Sequence, residues 1–115
     1  MSTFSTILAA VLGIAFVAAG IPKLAGQAKL VANFKRWGYP DEIRVATGAV
    51  ELLAGVLLLV GIAVPALAIT GVMLVMVVMV GALFTHQRAA DPLGRWIAPA
   101  ALLVLAFALA VSMLP

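Results

Sequence analysis

The stretch Phe34–Glu51, FKRWGYPDEIRVATGAVE, decides how this chain is read. Its first half is basic and aromatic, its middle is a break at Gly38-Tyr39-Pro40, and its second half enters an apolar run with one carboxylate, Glu51. Leu30, Val31, Phe34 and Trp37 recur at helical spacing, with Lys29, Asn33, Lys35 and Arg36 mostly off their stripe. The pattern predicts a short amphipathic helix over 27–37, lying in a membrane interface with cations toward lipid head groups and Trp37 at the boundary. Gly38 suits the position just past a helix C-terminus, and Pro40 forbids continuation. Asp41 is then the expected N-cap of the next helix, with Glu42 in its first turn.

Downstream, the apolar run spans about 43–64. Arg44, Thr47, Gly48, Glu51, Ala54, Gly55 and Leu58 fall on one face, which is small and polar. Leu52, Leu53, Val56, Leu57, Leu59 and Val60 cover much of the rest. A small-residue face around a carboxylate belongs inside a helix bundle, and a leucine-rich face belongs in lipid.

Three more apolar runs flank this one, at about 4–21, 66–84 and 96–114, each close to the eighteen or so residues that mark a membrane span. Hydrophobic residues make up 66% of the 115-residue chain and charged residues only 10%, so the fold to expect is an all-α integral membrane four-helix bundle in one domain, 1–115. The first run lacks a basic segment before it, and Pro22 and Lys23 directly follow it, so it reads as a retained span rather than a cleaved signal. Ala9 and Gly13, then Ala15 and Ala19, are small residues four apart that let a neighbouring helix come close.

All seven Lys and Arg residues lie in or beside the segments 22–44 and 85–95, on one side of the predicted bundle. The positive-inside rule makes that side cytoplasmic and puts both termini outside. The basic residues are few and flank membrane segments, so they read as topology signals rather than a nucleic-acid surface; the partner to expect is the lipid bilayer. With no cysteine there is no disulfide, thiolate metal site or CxxC redox pair, and one histidine alone makes neither a zinc site nor a doubly ligated haem. No metal site is expected, and any redox chemistry needs a bound cofactor.

Glu51 lies about seven residues inside its span, roughly 10 Å down at ~1.5 Å per residue, below the head groups. An isolated charge there costs on the order of 3 kcal/mol, so the carboxylate must be paired, hydrated or protonated. Lys23 ends the first span, His86 ends the third and Arg44 opens the second, all in the same leaflet. The expectation is a polar pocket with Glu51 at its floor, Lys23 and His86 at its mouth, Phe16, Met76, Met79 and Ala82 as walls, and Tyr39 and Trp37 as a lid. The bland alternative is a buried ion pair that fixes helix register, with the methionines as ordinary packing and the tryptophans as interfacial anchors.

The order Gly20-x-x-Lys23-Leu24, Phe34-x-x-Trp37-Gly38-Tyr39-Pro40, Gly48-x-x-Glu51-Leu52 and Gly81-Ala82-x-x-Thr85-His86 resembles the DoxX-like family of small four-helix bacterial membrane proteins. The resemblance implies a bundle in the bacterial inner (plasma) membrane, related to proteins associated with thiosulfate:quinone oxidoreductase. It therefore implies a redox-associated, quinone-linked membrane subunit with a non-covalent quinone and a redox partner protein. Glu51, Lys23, His86, Arg44, Tyr39, Trp37, Phe16 and Met79 are the candidate ligand residues. A structural or assembly subunit, and a proton-coupled binder or transporter of a small lipophilic solute working as a homo-oligomer, are the competing readings.

Overall fold

Glycines set the closest approach in the molecule. A Cβ added at Gly20 would lie 2.6 Å from the Gly48 carbonyl oxygen, and one at Gly55 would lie 2.8 Å from that of Gly13. The two pairings run in opposite directions along the chain, so the first and third helices pack antiparallel with backbone against backbone. Only residues without side chains permit that distance.

The computed structural model describes residues 1–115, and its elements are α1 (Thr3–Ala25), α2 (Ala28–Arg36), α3 (Asp41–Val60), α4 (Pro65–Arg88) and α5 (Ile97–Ser112), with a 3-10 turn at Leu93–Arg95. There is no strand. α1 packs on α3, α3 on α4, α4 on α5, and α5 back on α1, closing a four-helix ring; α2 lies against α3 and α1. The core runs down the middle and includes Leu12, Phe16, Leu58, Val75 and Leu109, all 1% exposed or less. At the end away from the charged loops, Ser5 and Ser112 share a 2.8 Å hydrogen bond that ties α1 to α5.

The outer surface is apolar. Phe4, Ile7, Ile14, Val77, Phe84, Val104 and Phe107 each expose more than half of their area. Continuous apolar exposure on this scale is untenable in water and natural in lipid. Four helical segments are long and apolar enough to cross a membrane, and the molecule is 42 Å along its longest axis, close to the ~40–45 Å of a bilayer with its head groups. It is a multi-pass membrane protein.

Three helix ends share one device. After α1, Gly26 takes φ 73°, its N–H donates to the Lys23 carbonyl and the Gln27 N–H reaches back to Pro22. After α2, Gly38 takes φ 84°, Gly38 N–H bonds Lys35 and Tyr39 N–H bonds Phe34. After α4 the same pair of bonds, Ala90 to Gln87 and Asp91 to His86, closes around Ala90 at φ 53°. These are Schellman closures, which also bring the second residue past the helix against the third from its end. Tyr39 thus meets Phe34, with ring centroids 6.2 Å apart, and Asp91 meets His86.

Helix ends depart from the apolar runs. α1 continues through Pro22 to Ala25, and α4 continues through Thr85–Arg88, because helices stop at caps and not where apolar residues run out. α3 starts at Asp41 and stops at Val60, with 61–64 in turns ahead of Pro65. Asp41 is not the N-cap: Pro40 occupies that position in extended backbone, and Asp41 is the first helical residue, with Glu42 beside it in the first turn. An anion there still favours the helix through its dipole.

Candidate functional site

Helical side chains lean toward the N-terminus of their own helix. Lys23, in the last turn of α1, therefore leans down into the bundle, and Glu51 on antiparallel α3 leans up toward it. Gly48 leaves the room, since a Cβ there would lie 2.8 Å from the Lys23 Cβ. Lys23 Nζ reaches 2.8 Å from Glu51 Oε1 and donates to the Ala19 carbonyl at 3.4 Å. The carboxylate is nearly sealed, with Glu51 3% exposed. The Lys23 ammonium is the one protein group paired with it. A buried carboxylate with a single partner retains unused accepting capacity.

Above the pair lies a cavity of about 470 Å³. Lys23 and Glu51 form its floor; Val78, Met79 and Ala82 of α4, with Ala98, Pro99 and Leu102 of α5, form apolar walls. Phe34, Trp37, Tyr39, Thr85 and His86 form its mouth. The Thr85 hydroxyl donates to the Gly81 carbonyl at 2.9 Å, so in the 2.7 Å contact between Tyr39 and Thr85 it is the Tyr39 hydroxyl that donates. Arg88 lies 4.7 Å over the Tyr39 ring and donates to the Trp37 carbonyl, fixing the segment after α2 to the end of α4.

Asp91 gathers the rest of the mouth. Its carboxylate accepts from Arg36 at 2.6 Å, from Trp37 Nε1 at 3.2 Å and pairs with His86 Nδ1 at 2.7 Å, while its backbone carbonyl accepts from Trp96 Nε1 at 3.0 Å. Only 2% of the Asp91 side chain is exposed. The Arg36 bond first, then the His86 and Trp37 bonds, hold its carboxyl well below the usual carboxylate range, and the same Asp91 bond raises Arg36. The Trp37 ring meets the His86 ring edge to face at 5.4 Å.

Of the residues expected at the site, Glu51, Lys23, His86, Tyr39, Trp37 and Met79 line one cavity. Arg44 and Phe16 do not. Arg44 is buried seven residues before Glu51, where it donates to the Lys23 carbonyl at the electronegative end of α1 and faces Asp41 at 3.9 Å. Phe16 lies two turns below Lys23 in the packed core. Met76 turns toward a smaller apolar cleft with Met73 and Met113 rather than toward Glu51. Trp37 spends its indole N–H on Asp91 instead of serving only as an interfacial anchor.

Sequence reasoning missed Asp91. Its signal was present: it is the one acid in the segment 85–95 and stands five residues after the one histidine. A helix closure between them was the missing inference.

A family model for the DoxX-like family matches residues 7–109. The chain belongs to that family. No curated protein and no solved structure matches it.

Proposed function

We propose that this DoxX-like protein is a redox-associated membrane subunit that binds the head group of a quinone in the cavity above Glu51. The observation that carries the reading is an apolar cavity of about 470 Å³ floored by a carboxylate 3% exposed, whose one protein partner is the Lys23 ammonium. A flat apolar ring suits the walls, and a ring oxygen at the floor meets the Lys23 ammonium and the Glu51 carboxyl. A quinone that takes up two electrons also takes up two protons. The chain has no intrinsic redox group, so a partner redox protein supplies the electrons and this site supplies or receives protons. The clustering of all seven Lys and Arg at the cavity end supports a cytoplasmic placement of that end, in a bacterial plasma membrane, with both termini outside.

Native mass spectrometry of protein purified in mild detergent, with organic extraction of what accompanies it, tests the reading. A quinone should accompany the wild type and be lost in Glu51→Gln. A cavity empty in the wild type, or a quinone retained at equal occupancy in the variant, overturns it.

A second reading has an observation of its own. Lys23 and Glu51 sit directly beside the Gly20–Gly48 contact, so the pair fixes the register of α1 on α3. If that is its whole role, Glu51→Gln lowers thermal stability and no ligand accompanies either protein.

A further inference from the structure

His86 presents two nitrogens with different fates. Nδ1 is committed to Asp91 at 2.7 Å, and Asp91 also accepts from Arg36 and Trp37, so it stays an anionic acceptor. Nε2 makes no hydrogen bond within the protein, on a ring that lines the cavity. In a neutral imidazole the proton sits on the nitrogen that faces the acceptor, which here is Nδ1, and the other nitrogen keeps its lone pair. Carboxylate–histidine pairs set tautomer and ring orientation in this way wherever they occur. The local backbone supports the geometry independently. Ala90 is held at φ 53°, a conformation costly for a residue with a Cβ, and the closure it makes is what delivers Asp91 to His86.

We propose that Asp91 is a positioning residue that fixes His86 in the Nδ1–H form, so that His86 Nε2 accepts a hydrogen bond from a ligand hydroxyl at the cavity mouth. The site is thereby two-ended: the Lys23 ammonium and the Glu51 carboxylate at the floor, and an acceptor, Nε2, at the mouth. The ligand class it takes best is a ring with a phenolic hydroxyl, a hydroquinone over its quinone, whose carbonyl oxygen would confront the Nε2 lone pair. The identity of the ligand rests on the quinone reading of the cavity; the tautomer does not.

The single histidine makes the test direct. Protein labelled with 15N-histidine, at a pH where the ring is neutral, should show a protonated Nδ1 and an unprotonated Nε2. Asp91→Ala, which removes the acceptor, should abolish that bias. Binding of decylubiquinone and its hydroquinone, measured side by side, gives the ligand readout. The wild type should prefer the hydroquinone, and Asp91→Ala should lower the hydroquinone-to-quinone affinity ratio severalfold, up to the roughly tenfold worth of one hydrogen bond. A purely structural Asp91 would weaken both forms equally.

A wild-type spectrum with the proton on Nε2 overturns the proposal, and needs no variant to do so. A lost bias with an unchanged ratio overturns its ligand half while leaving quinone binding intact. If neither form binds the wild type, the quinone reading falls and takes the hydroquinone preference with it.

Discussion

Ala90 and Asp91 show how much a single position can organise. An alanine at φ 53° carries a cost of about 1 kcal/mol that glycine at the same place would not. Ala90→Gly should therefore raise the thermal midpoint in detergent by a few degrees, with the His86–Asp91 pair unchanged; a fall would mean that the alanine side chain contributes something its backbone hides. Asp91 makes a signed prediction about pH. Its folded-state carboxyl lies below the unfolded value of ~3.9, so its contribution is complete above that value and is lost as pH falls through the folded one. Thermal midpoints should be insensitive to this group between about pH 5 and 8 and should drop under stronger acid. Asp91→Asn should be less stable at neutral pH and should lack that acid-dependent component. An acid profile identical in the two proteins would contradict the geometry.

At the scale of elements, the α1–α3 seam governs both the fold and the site. Gly48→Ala places a methyl 2.8 Å from the Lys23 Cβ and 3.0 Å from the Gly20 carbonyl oxygen, so backbones must separate. Overpacking of this kind costs about 1–3 kcal/mol, and it also pushes Lys23 away from Glu51. The thermal midpoint should fall by several degrees, whereas Gly94→Ala, with nothing within 4 Å of the new methyl, should leave it unchanged. Equal behaviour of the two variants would remove the seam from the explanation. The buried face of α3 was legible in advance: of the seven residues its small and polar periodicity picks out, Arg44, Gly48, Glu51, Ala54, Gly55 and Leu58 are buried and Thr47 is half-buried. The helix ends were not legible. Apolar counting stops at Ile21 and Phe84, but Lys23 and His86 lie on helical turns beyond those points, because the closures at Gly26 and Ala90 decide where α1 and α4 end. An alanine in a left-handed closure leaves no composition signal, which is why Asp91 went unread. Arg44 was misplaced for a related reason. Helical spacing puts it on the Glu51 face, but only the packed position of α1 shows that its guanidinium reaches the Lys23 carbonyl instead.

At the scale of the whole molecule, the polar groups are concentrated at one end of a lipid-facing bundle. Glu51, Lys23 and the Asp91 cluster surround a single cavity there, and the opposite end is tied by two serines. The two tryptophans divide this arrangement in a useful way, since Trp37 lines the cavity and Trp96 does not. Fluorescence titration with decylubiquinone, in one variant keeping only Trp37 and another keeping only Trp96, separates occupancy of the cavity from simple partitioning into detergent. We predict saturable quenching of Trp37 alone, abolished by Glu51→Gln. Linear, unsaturable quenching of both tryptophans, indifferent to Glu51, would show that no quinone occupies the cavity and would contradict the function proposed for it.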